Sequence, residues 1–289
     1  MFQPFLYLSS IRQIIKTNKI TDLIGFSDIG AYLVFFSFFF NRTVRKFVWL
    51  HNSYYQPINP IIKFTRLWVY KQFYKVIVLN KKDESIYFEK LGVEKAVRIP
   101  NPISFELDRI SSLSNKKIIS IGRLHKEKGF PFLIEAMKIV HEKHPNWKLD
   151  IIGQDRGEKH NLKQMILKYG LGECVSILPP TRDIHRVYLN SSIYVMTSHF
   201  ECLPLVLTEA REAGLPLIAY DSPSGISDLV VNNSNGYLIE RFNVQLLAQK
   251  INELIESKEL RIQFGTVGKK LNLQLKMPII IKKWEQILK

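Results

Sequence analysis

The chain has 289 residues, of which 46% are hydrophobic and 12% are aromatic, enough for one large or two ordinary globular domains. Its two cysteines, Cys174 and Cys202, exclude a disulfide framework and favour a reducing, cytosolic compartment. The formal charge of +15 leaves three anionic partners: nucleic acid, a membrane surface or a phosphorylated small molecule. The Lys and Arg residues do not interleave with aromatic residues as in a nucleic-acid module, so we expect no nucleic-acid partner.

Short apolar strands alternate with helices in the first third of the chain. The pattern predicts helices over residues 4–19, 60–74 and 81–91, a helix from Asp28, and strands over residues 22–27, 46–50, 76–79 and 96–99. Continuously apolar strands that alternate with helices are typical of parallel βαβ units. Ligands of such sheets bind at the carboxyl ends of strands, and His51 and Asn52 follow the second strand directly.

The most apolar window of the chain runs from Ala31 to Phe40. It is about half as long as the ~20 residues that a membrane-spanning helix needs. A buried helix is the favoured interpretation. Because Arg42, Arg45 and Lys46 follow immediately, a role at a membrane surface stays open.

A polar, Ser-rich stretch over residues 105–116 is typical of a linker, and a second α/β pattern follows it. Strands are predicted over residues 117–121, 147–152, 175–178, 193–196, 215–220 and 236–239, with helices over 130–143, 158–169 and 183–190 and further helices to the end. The alternation predicts two Rossmann-like domains that face one another. Their predicted bounds are residues 1–104 and 105–275, and a C-terminal helix over 276–289 is expected to pack back on the first domain.

Residues 197–219 hold two carboxylates around a predicted helix start. Pro204 is predicted in the first turn, Glu209 in the second turn and Gly214 just past the end. Glu201 lies in the loop before the helix, so the two acids can hold different parts of one extended ligand. The amides of the helix N-terminus suit an anionic group such as a phosphate. Two Glu residues at this spacing also arise by chance in many proteins, and the spacing alone does not decide.

A basic loop follows the first strand of the second pattern. Gly122, Arg123 and Leu124 stand at the strand end, with Lys126, Lys128 and Gly129 just behind. An Arg fork and a Lys point charge at such a position suit a diphosphate, although a solvated basic loop explains the same residues equally well.

Several chemistries lack their sequence motifs. The chain has no P-loop, no G-x-G-x-x-G after the first strand of either half and no G-x-S-x-G nucleophile elbow. It also has no zinc-ligand spacing and no Asp-x-Asp pair for a divalent cation. Among enzymes, this leaves a metal-free group transfer that uses a phosphate-bearing substrate.

These residues together resemble the retaining, GT-B-fold glycosyltransferases of family 4, in the branch that builds bacterial surface polysaccharides. Four features in the family's order carry the resemblance, which covers residues 20–289: Ile121-Gly122-Arg123-Leu124 with Lys128-Gly129; the strand ending at Gly153; Ser198 with Glu201 through Glu209; and Gly214-Leu215-Pro216. The runs DSPSG (221–225) and NGYLI (235–239) follow them. Position 202 departs from the family, because it is Cys where Gly is usual.

The resemblance implies a role for each site residue. Arg123 and Lys128 neutralise the nucleotide diphosphate and the charge that grows as it leaves, Glu209 accepts hydrogen bonds from the ribose, and Glu201 holds hydroxyls of the donor sugar. His51 faces that sugar from the first domain. The implied catalytic residues are Glu201, Arg123, Lys128 and His51. The implied donor-binding residues are Gly122, Arg123, Lys128, Gly153, Pro179, Thr181, Arg182, Glu201, Cys202, Leu203, Pro204, Leu205 and Glu209, with residues 179–182 along the nucleobase.

The implied reaction is transfer of a hexose or N-acetylhexosamine, with retention, from a nucleotide-diphosphate sugar to a glycan or lipid-linked acceptor in surface-polysaccharide synthesis. We expect a UDP-linked donor, no metal ion or other cofactor and a cytoplasmic location, and peripheral contact with the inner face of the cell membrane stays open. Chains of this family normally begin with a strand, a Gly-rich loop and a helix, which are missing before the first helix here. The N-terminal domain is therefore expected to be incomplete, and a catalytically inactive nucleotide-sugar-binding remnant is the alternative function.

Overall fold

Parallel strands form two separate sheets in the computed structural model, which describes residues 4–38, 43–223 and 225–289, with the backbone alone for residues 4–9 and 38. Four residues used in the sequence interpretation, Phe39, Phe40, Arg42 and Ser224, lie outside the described residues. Internal contacts divide the chain into unit 1, Met1–Asn101 with Ile280–Lys289, and unit 2, Pro102–Ile279.

The first strands and helices all belong to unit 1. They are helices α1 (Pro4–Thr17), α2 (Ser27–Phe38), α3 (Pro60–Lys71) and α4 (Lys81–Leu91), and strands β1 (Asp22–Phe26), β2 (Arg45–Trp49), β3 (Lys75–Val78) and β4 (Ala96–Arg98). The strands pair in parallel in the order β1-β2-β3-β4. Local caps set two of the helix starts, because the side chains of Asn59 and Asn80 accept hydrogen bonds from the backbone N–H groups of Ile61 and Asp83.

Unit 2 contains the remaining strands and most of the remaining helices. Its strands are β5 (Lys117–Ile121), β6 (Lys148–Ile152), β7 (Val175–Leu178), β8 (Ile193–Met196), β9 (Leu217–Tyr220) and β10 (Gly236–Ile239). The helices that follow are α5 (Phe130–Lys143), α6 (Lys159–Lys168), α7 (Ile184–Leu189), α8 (Leu205–Glu212), α9 (Ile226–Leu229), α10 (Val244–Glu256), α11 (Lys258–Asn272) and α12 (Met277–Leu288). Residues of α12 from Ile280 onward belong to unit 1.

Both faces of the unit 1 sheet are buried. Alternate residues of its strands point to opposite faces. One face, including Val48 and Val76, packs with residues of α2, α3 and α4. The other face, including Phe47 and Ile77, packs against Ile280 of α12. The C-terminal segment thus completes the core of unit 1.

The sheet of unit 2 has the strand order β10-β9-β8-β5-β6-β7, and all its pairs are parallel. The chain therefore moves from β5 towards β7, returns, and continues from β8 towards β10 on the other side of β5. This arrangement leaves a crevice at the carboxyl ends of β5 and β8, where ligands of doubly wound sheets bind.

Most predicted elements occur within a few residues of their predicted bounds, and two features differ. Pro204 lies at the N-cap of α8 rather than in its first turn, because its ψ of 117° is extended and the helix begins at Leu205. The four-residue helix α9 was not predicted, since so short a segment shows no helical period. Gly214 has the predicted position past the end of α8, with a left-handed φ of 72°.

The described side chains of the apolar run over residues 31–40 are only partly buried. In α2, Ala31 and Phe35 lie in the core, whereas Phe36 is 57% exposed. Among the described residues, no helix has the combination of length and apolar character that spanning a bilayer requires.

The packing of α12 on unit 1 can be tested with neighbouring isoleucines. Ile280 is 3% exposed and Ile281 is 47% exposed. We expect Ile280→Ala to lower the free energy of unfolding of unit 1 by about 2–4 kcal/mol, because it leaves a cavity in the core. Ile281→Ala is the matched control and should change it by about 0.5 kcal/mol or less. Urea unfolding followed by tryptophan fluorescence suits this test, since Trp49, Trp68 and Trp284 all belong to unit 1. Equal midpoints for the two variants would contradict the packing.

Candidate functional site

Two loops of unit 2 meet at the carboxyl ends of β5 and β8. The first spans residues 122–129, the second spans residues 197–204, and together we call them the switch-point loops. Two backbone carbonyls of the first loop accept hydrogen bonds from the second. Thr197 Oγ1 donates to Lys128 O at 3.0 Å, and the N–H of His199 donates to Glu127 O at 2.7 Å. The two loops therefore form one continuous surface.

Glycine makes this close approach feasible. Gly129 has a left-handed φ of 61°, and a Cβ built there would lie 2.2 Å from Thr197 O. Gly153, at the end of β6, is equally constrained, because its Cβ would lie 1.7 Å from Gly122 O. Real Cβ atoms do not approach oxygen atoms this closely. Both glycines are therefore required by backbone contacts at the site.

The central charged pair of the site joins the two loops. Lys128 Nζ lies 2.5 Å from Glu201 Oε1, and the side chains are only 17% and 13% exposed. The aliphatic stem of Lys128 passes over Gly122, whose Cβ would lie 3.4 Å from it. Burial of the stem and the ion pair together hold the ammonium group at the strand ends. Arg123 lies nearby in sequence, is exposed, and has no side-chain partner among the residues that the structure describes.

The second carboxylate, Glu209, is held by a buried tyrosine. Tyr188 of α7 donates a hydrogen bond from its hydroxyl to Glu209 Oε2 at 2.8 Å. The Tyr188 ring lies 6.2 Å from the ring of Tyr194 on β8. The Tyr194 hydroxyl in turn donates to Ile121 O at 3.3 Å, at the end of β5. The two tyrosines thus connect α8 to the strand that carries the basic loop.

These tyrosines remain neutral donors. Burial raises the pKa of Tyr188 and of Tyr194 well above the usual value of a phenol, and nearby carboxylates act in the same direction. Glu209 is such a neighbour of both rings, and Glu201 also acts on Tyr194. Neither tyrosine is predicted as a site residue from the sequence, because buried aromatic residues on a strand or a short helix are usually core residues. No sequence motif in the chain could have identified them.

The segment before α8 offers backbone more than side chains. Cys202 and Leu203 are 9% and 7% exposed, Pro204 is buried, and Leu205 is 39% exposed. The first amides of a helix have no intrahelical acceptor, and those of α8 follow directly on Pro204. An anion at this end of α8 would meet N–H groups and the positive end of the helix dipole.

A groove of about 540 Å³ lies beside α7, next to the end of β7. Pro179 and Thr181 line it, together with Lys117 and Asp150, which form an ion pair at 2.8 Å. Arg182 follows immediately in the sequence, is exposed, and does not line the groove. The structure thus gathers Pro179 and Thr181 at one recess.

His51 belongs to unit 1 and is described there alone. Its ring lies 4.6 Å from that of Trp49 and 5.7 Å from that of Phe26, measured between centroids. Burial lowers its pKa below the usual value of histidine, so the ring is neutral at physiological pH. Its buried Nε2 has no hydrogen-bond partner within the described part of the chain. His51 therefore carries an unsatisfied nitrogen at the carboxyl end of β2.

Metal binding has no ready-made site here. Within residues 4–38, 43–223 and 225–289, no three His, Cys, Asp or Glu side chains are grouped so that they could hold an ion.

A family profile and a sequence relative identify one family, and solved structures show the fold. The profile of "Glycosyl transferases group 1" matches residues 105–271. The amylovoran biosynthesis glycosyltransferase AmsD of Erwinia amylovora is 30% identical over 81% of this chain and 67% of its own. Among solved structures, Anabaena Alr3699/HepE in complex with UDP superposes with a TM-score of 0.87 at 20% identity, over 97% of this chain and 81% of that one.

A second solved structure is a mutant of S. aureus TarM in complex with Fondaparinux, alpha-GlcNAc-glycerol and UDP. It superposes with a TM-score of 0.81 at 24% identity over 97% of this chain, and this chain spans 58% of the TarM chain. These neighbours are GT-B glycosyltransferases, so the predicted α/β GT-B fold is confirmed.

The junction of the switch-point loops can be tested at Gly129. We expect Gly129→Ala to lower the free energy of unfolding by about 2 kcal/mol or more, because the new methyl group meets Thr197 O and a left-handed φ disfavours Ala. Gly157→Ala is the control, since Gly157 also has a positive φ, 101°, but no atom lies within 4 Å of the position that its new methyl group would take. Urea unfolding of unit 2, followed by far-ultraviolet circular dichroism, measures both. A loss for Gly129→Ala no larger than that for Gly157→Ala would show that the loops do not meet as described.

Proposed function

Because the chain belongs to the glycosyl transferases group 1 family, we propose that it transfers a hexose or N-acetylhexosamine from a nucleotide-diphosphate sugar to a glycan or lipid-linked acceptor, with retention, in surface-polysaccharide synthesis. The family profile covers the switch-point loops and both carboxylates of the candidate site. AmsD, named for amylovoran biosynthesis, supports a role in surface-polysaccharide synthesis.

The observation that carries the proposal is the placement of Lys128 on Glu201, beside the exposed Arg123 and before the start of α8. We assign the two cations and the first amides of α8 to the diphosphate. An Arg fork binds two phosphate oxygens, while Lys acts as a point charge. One oxygen of the Glu201 carboxylate contacts Lys128, and the second is available for hydroxyl groups of the donor sugar. In a nucleotide sugar the sugar is attached to the distal phosphate, so it would lie close to the cations that bind the diphosphate.

The remaining donor contacts follow from the second carboxylate and the groove. Glu209, oriented by Tyr188, accepts hydrogen bonds from the ribose hydroxyls in this proposal. Pro179 and Thr181 border the nucleobase at the groove beside α7. We propose uracil as the base, supported by the UDP present in the HepE and TarM structures. The alpha-GlcNAc-glycerol in the TarM structure supports an N-acetylhexosamine as one candidate sugar.

The chemistry follows from where charge develops. Glycosyl transfer passes through an oxocarbenium-like state while negative charge grows on the leaving diphosphate. Positive groups that are fixed in advance at the phosphate stabilise this state more than the ground state. Arg123 and Lys128 supply that positive charge in the proposal, so it requires no metal ion. His51 is assigned to the donor sugar, with its neutral Nε2 free to bond a hydroxyl group.

We place the reaction in the cytoplasm at the inner face of the cell membrane. Cys174 and Cys202 are both buried free thiols, as suits a reducing compartment. A lipid-linked acceptor would be presented at that surface.

The reaction is tested by incubating the protein with a set of UDP-sugars and a membrane extract of lipid-linked glycans. We expect transfer of one hexose or N-acetylhexosamine, and nuclear magnetic resonance of the product gives its anomeric configuration. An inverted product would overturn retention. UDP binding without transfer or hydrolysis would select the alternative of a nucleotide-sugar-binding remnant. Absence of UDP binding by calorimetry would reject uracil as the base, and absence of binding of any nucleoside diphosphate would remove both functions.

Lys128 is expected to be the main point charge for the diphosphate. Lys128→Met should weaken UDP binding about 10- to 100-fold, because a charge-assisted hydrogen bond contributes roughly 1.5–3 kcal/mol. Lys163→Met, which changes an exposed lysine of α6, is the control and should bind UDP like the wild type. Isothermal titration calorimetry at constant salt measures both. Wild-type affinity in Lys128→Met would assign the diphosphate elsewhere.

The assignment of Glu209 to the ribose is tested with a matched ligand. Glu209→Gln should weaken UDP binding by about tenfold, because the charged acceptor of the ribose hydroxyls is lost. The same variant should bind the 2′,3′-dideoxy analogue of UDP as tightly as the wild type does. If the variant weakens both ligands equally, Glu209 acts on another part of the nucleotide. Circular dichroism confirms that the fold is retained.

A further inference from the structure

Helix α3 of unit 1 exposes large apolar side chains along one face. Ile61, Phe64 and Trp68 are 73%, 89% and 56% exposed. Their spacing of three and four residues places them on the same side of the helix. The opposite side, with Val69 and Tyr70, is buried in the unit 1 core. The buried side of α3 therefore provides its contacts with the unit 1 core, and this second, exposed apolar face is not needed for them.

The exposed face continues onto α2. The ring centroids of Trp68 and Phe35 lie 5.2 Å apart, and those of Phe35 and Phe36 also lie 5.2 Å apart. Phe36 is 57% exposed. We call Phe36, Ile61, Phe64 and Trp68 the aromatic face. Contiguous exposed apolar groups of this size are uncommon on a soluble surface and mark contact with a partner or a membrane.

Basic residues surround the aromatic face. Lys71 is exposed on α3, three residues after Trp68 and seven after Phe64, and the guanidinium group of Arg12 lies against the carbonyl of Phe36 at 3.3 Å. Over residues 1–75 the sequence has ten Lys and Arg residues, two Asp residues and no Glu. The partner that suits these surroundings is therefore both apolar and anionic.

Neither of the two acids offsets this charge at the face. Asp22 forms an ion pair with Arg45 at 2.6 Å. Asp28 is buried and accepts a hydrogen bond from Tyr70 at 2.5 Å. No exposed carboxylate from α2 or α3 therefore opposes an anionic surface.

We propose that the aromatic face inserts into the interfacial region of a bilayer that contains anionic lipids. The aromatic rings and Ile61 enter the boundary between headgroups and acyl chains, while Lys71 and Arg12 remain with the phosphate groups. A second copy of this chain is a poor occupant, because pairing like faces brings the same lysines together. This inference rests on the membrane location in the proposed function and assigns a binding surface to it. It does not depend on transfer activity.

Co-sedimentation of the whole chain with vesicles tests this inference. We expect binding to phosphatidylcholine vesicles that contain phosphatidylglycerol, little binding to phosphatidylcholine alone, and weaker binding as salt rises. The double variant Phe64→Ser/Trp68→Ser should reduce the partition coefficient at least about tenfold, since it removes most of the apolar area. Leu167→Ser is the control, because Leu167 is 70% exposed on α6 of unit 2. Lys71→Glu should weaken the preference for anionic vesicles.

Two results would overturn the proposal: equal partition of Phe64→Ser/Trp68→Ser and the wild type, or a wild-type dimer in light scattering that the double variant dissociates. The second result would assign the aromatic face to another copy of the chain. Far-ultraviolet circular dichroism checks that each variant is folded, and UDP affinity is measured separately without vesicles. Because sedimentation uses no nucleotide, loss of vesicle binding with normal UDP binding rejects only the membrane contact. Normal vesicle binding without UDP binding rejects only the donor site.

Discussion

The candidate site depends on the close approach of two backbones at the crevice between β5 and β8. Gly129 meets Thr197 O, where no other residue fits without movement, and two hydrogen bonds hold the loops at that distance. This contact sets the separation of Lys128 and Glu201, which are 73 residues apart in the chain. The sheet topology decides where the loops meet, and the glycine decides how closely.

Charge balance then limits what can bind. Arg123 and Lys128 contribute two positive charges, and Glu201 and Glu209 two negative ones, so the site is close to neutral before a ligand arrives. A partly buried lysine or glutamate is costly without its partner, and the ion pair avoids that cost. An inorganic phosphate would satisfy the cations alone, and a free sugar only the carboxylates. A ligand with a diphosphate between two groups rich in hydroxyls satisfies all four, which is the composition of a nucleotide sugar.

The fold was readable from the sequence because its parallel strands are buried and short. Strands such as 193–196 and 217–220 are continuously apolar and fully buried, and Gly or Pro residues mark many of the element ends. The site was readable only in part. Charged residues that follow strands or stand near a helix start suggest ligand binding, so the sequence predicts Lys128, Glu201 and Glu209 as site residues. Tyr188 and Tyr194 look like core residues until their hydroxyl partners are known.

Other features needed three-dimensional contacts. The ion pair of Lys128 with Glu201 joins two loops, and no spacing in the sequence indicates it. The position of Pro204 was off by one residue, because proline is compatible both with the N-cap and with the first turn. The exposure of Phe64 and Trp68 was not predicted either. An apolar residue every three or four positions predicts an amphipathic helix but does not tell which face is covered when α3 carries apolar residues on both sides.

The basic composition of the chain therefore serves two different physical situations. At the switch-point loops, the ammonium of Lys128 is fixed by one carboxylate and the side chain is only 17% exposed, so salt screens its interactions weakly. At the aromatic face, Lys71 is exposed and acts through a diffuse field that salt screens strongly. A charge of +15 read from the composition cannot separate these roles. The difference in burial separates the two roles, because the energy of a positive charge depends on how much water surrounds it and on which anion it meets.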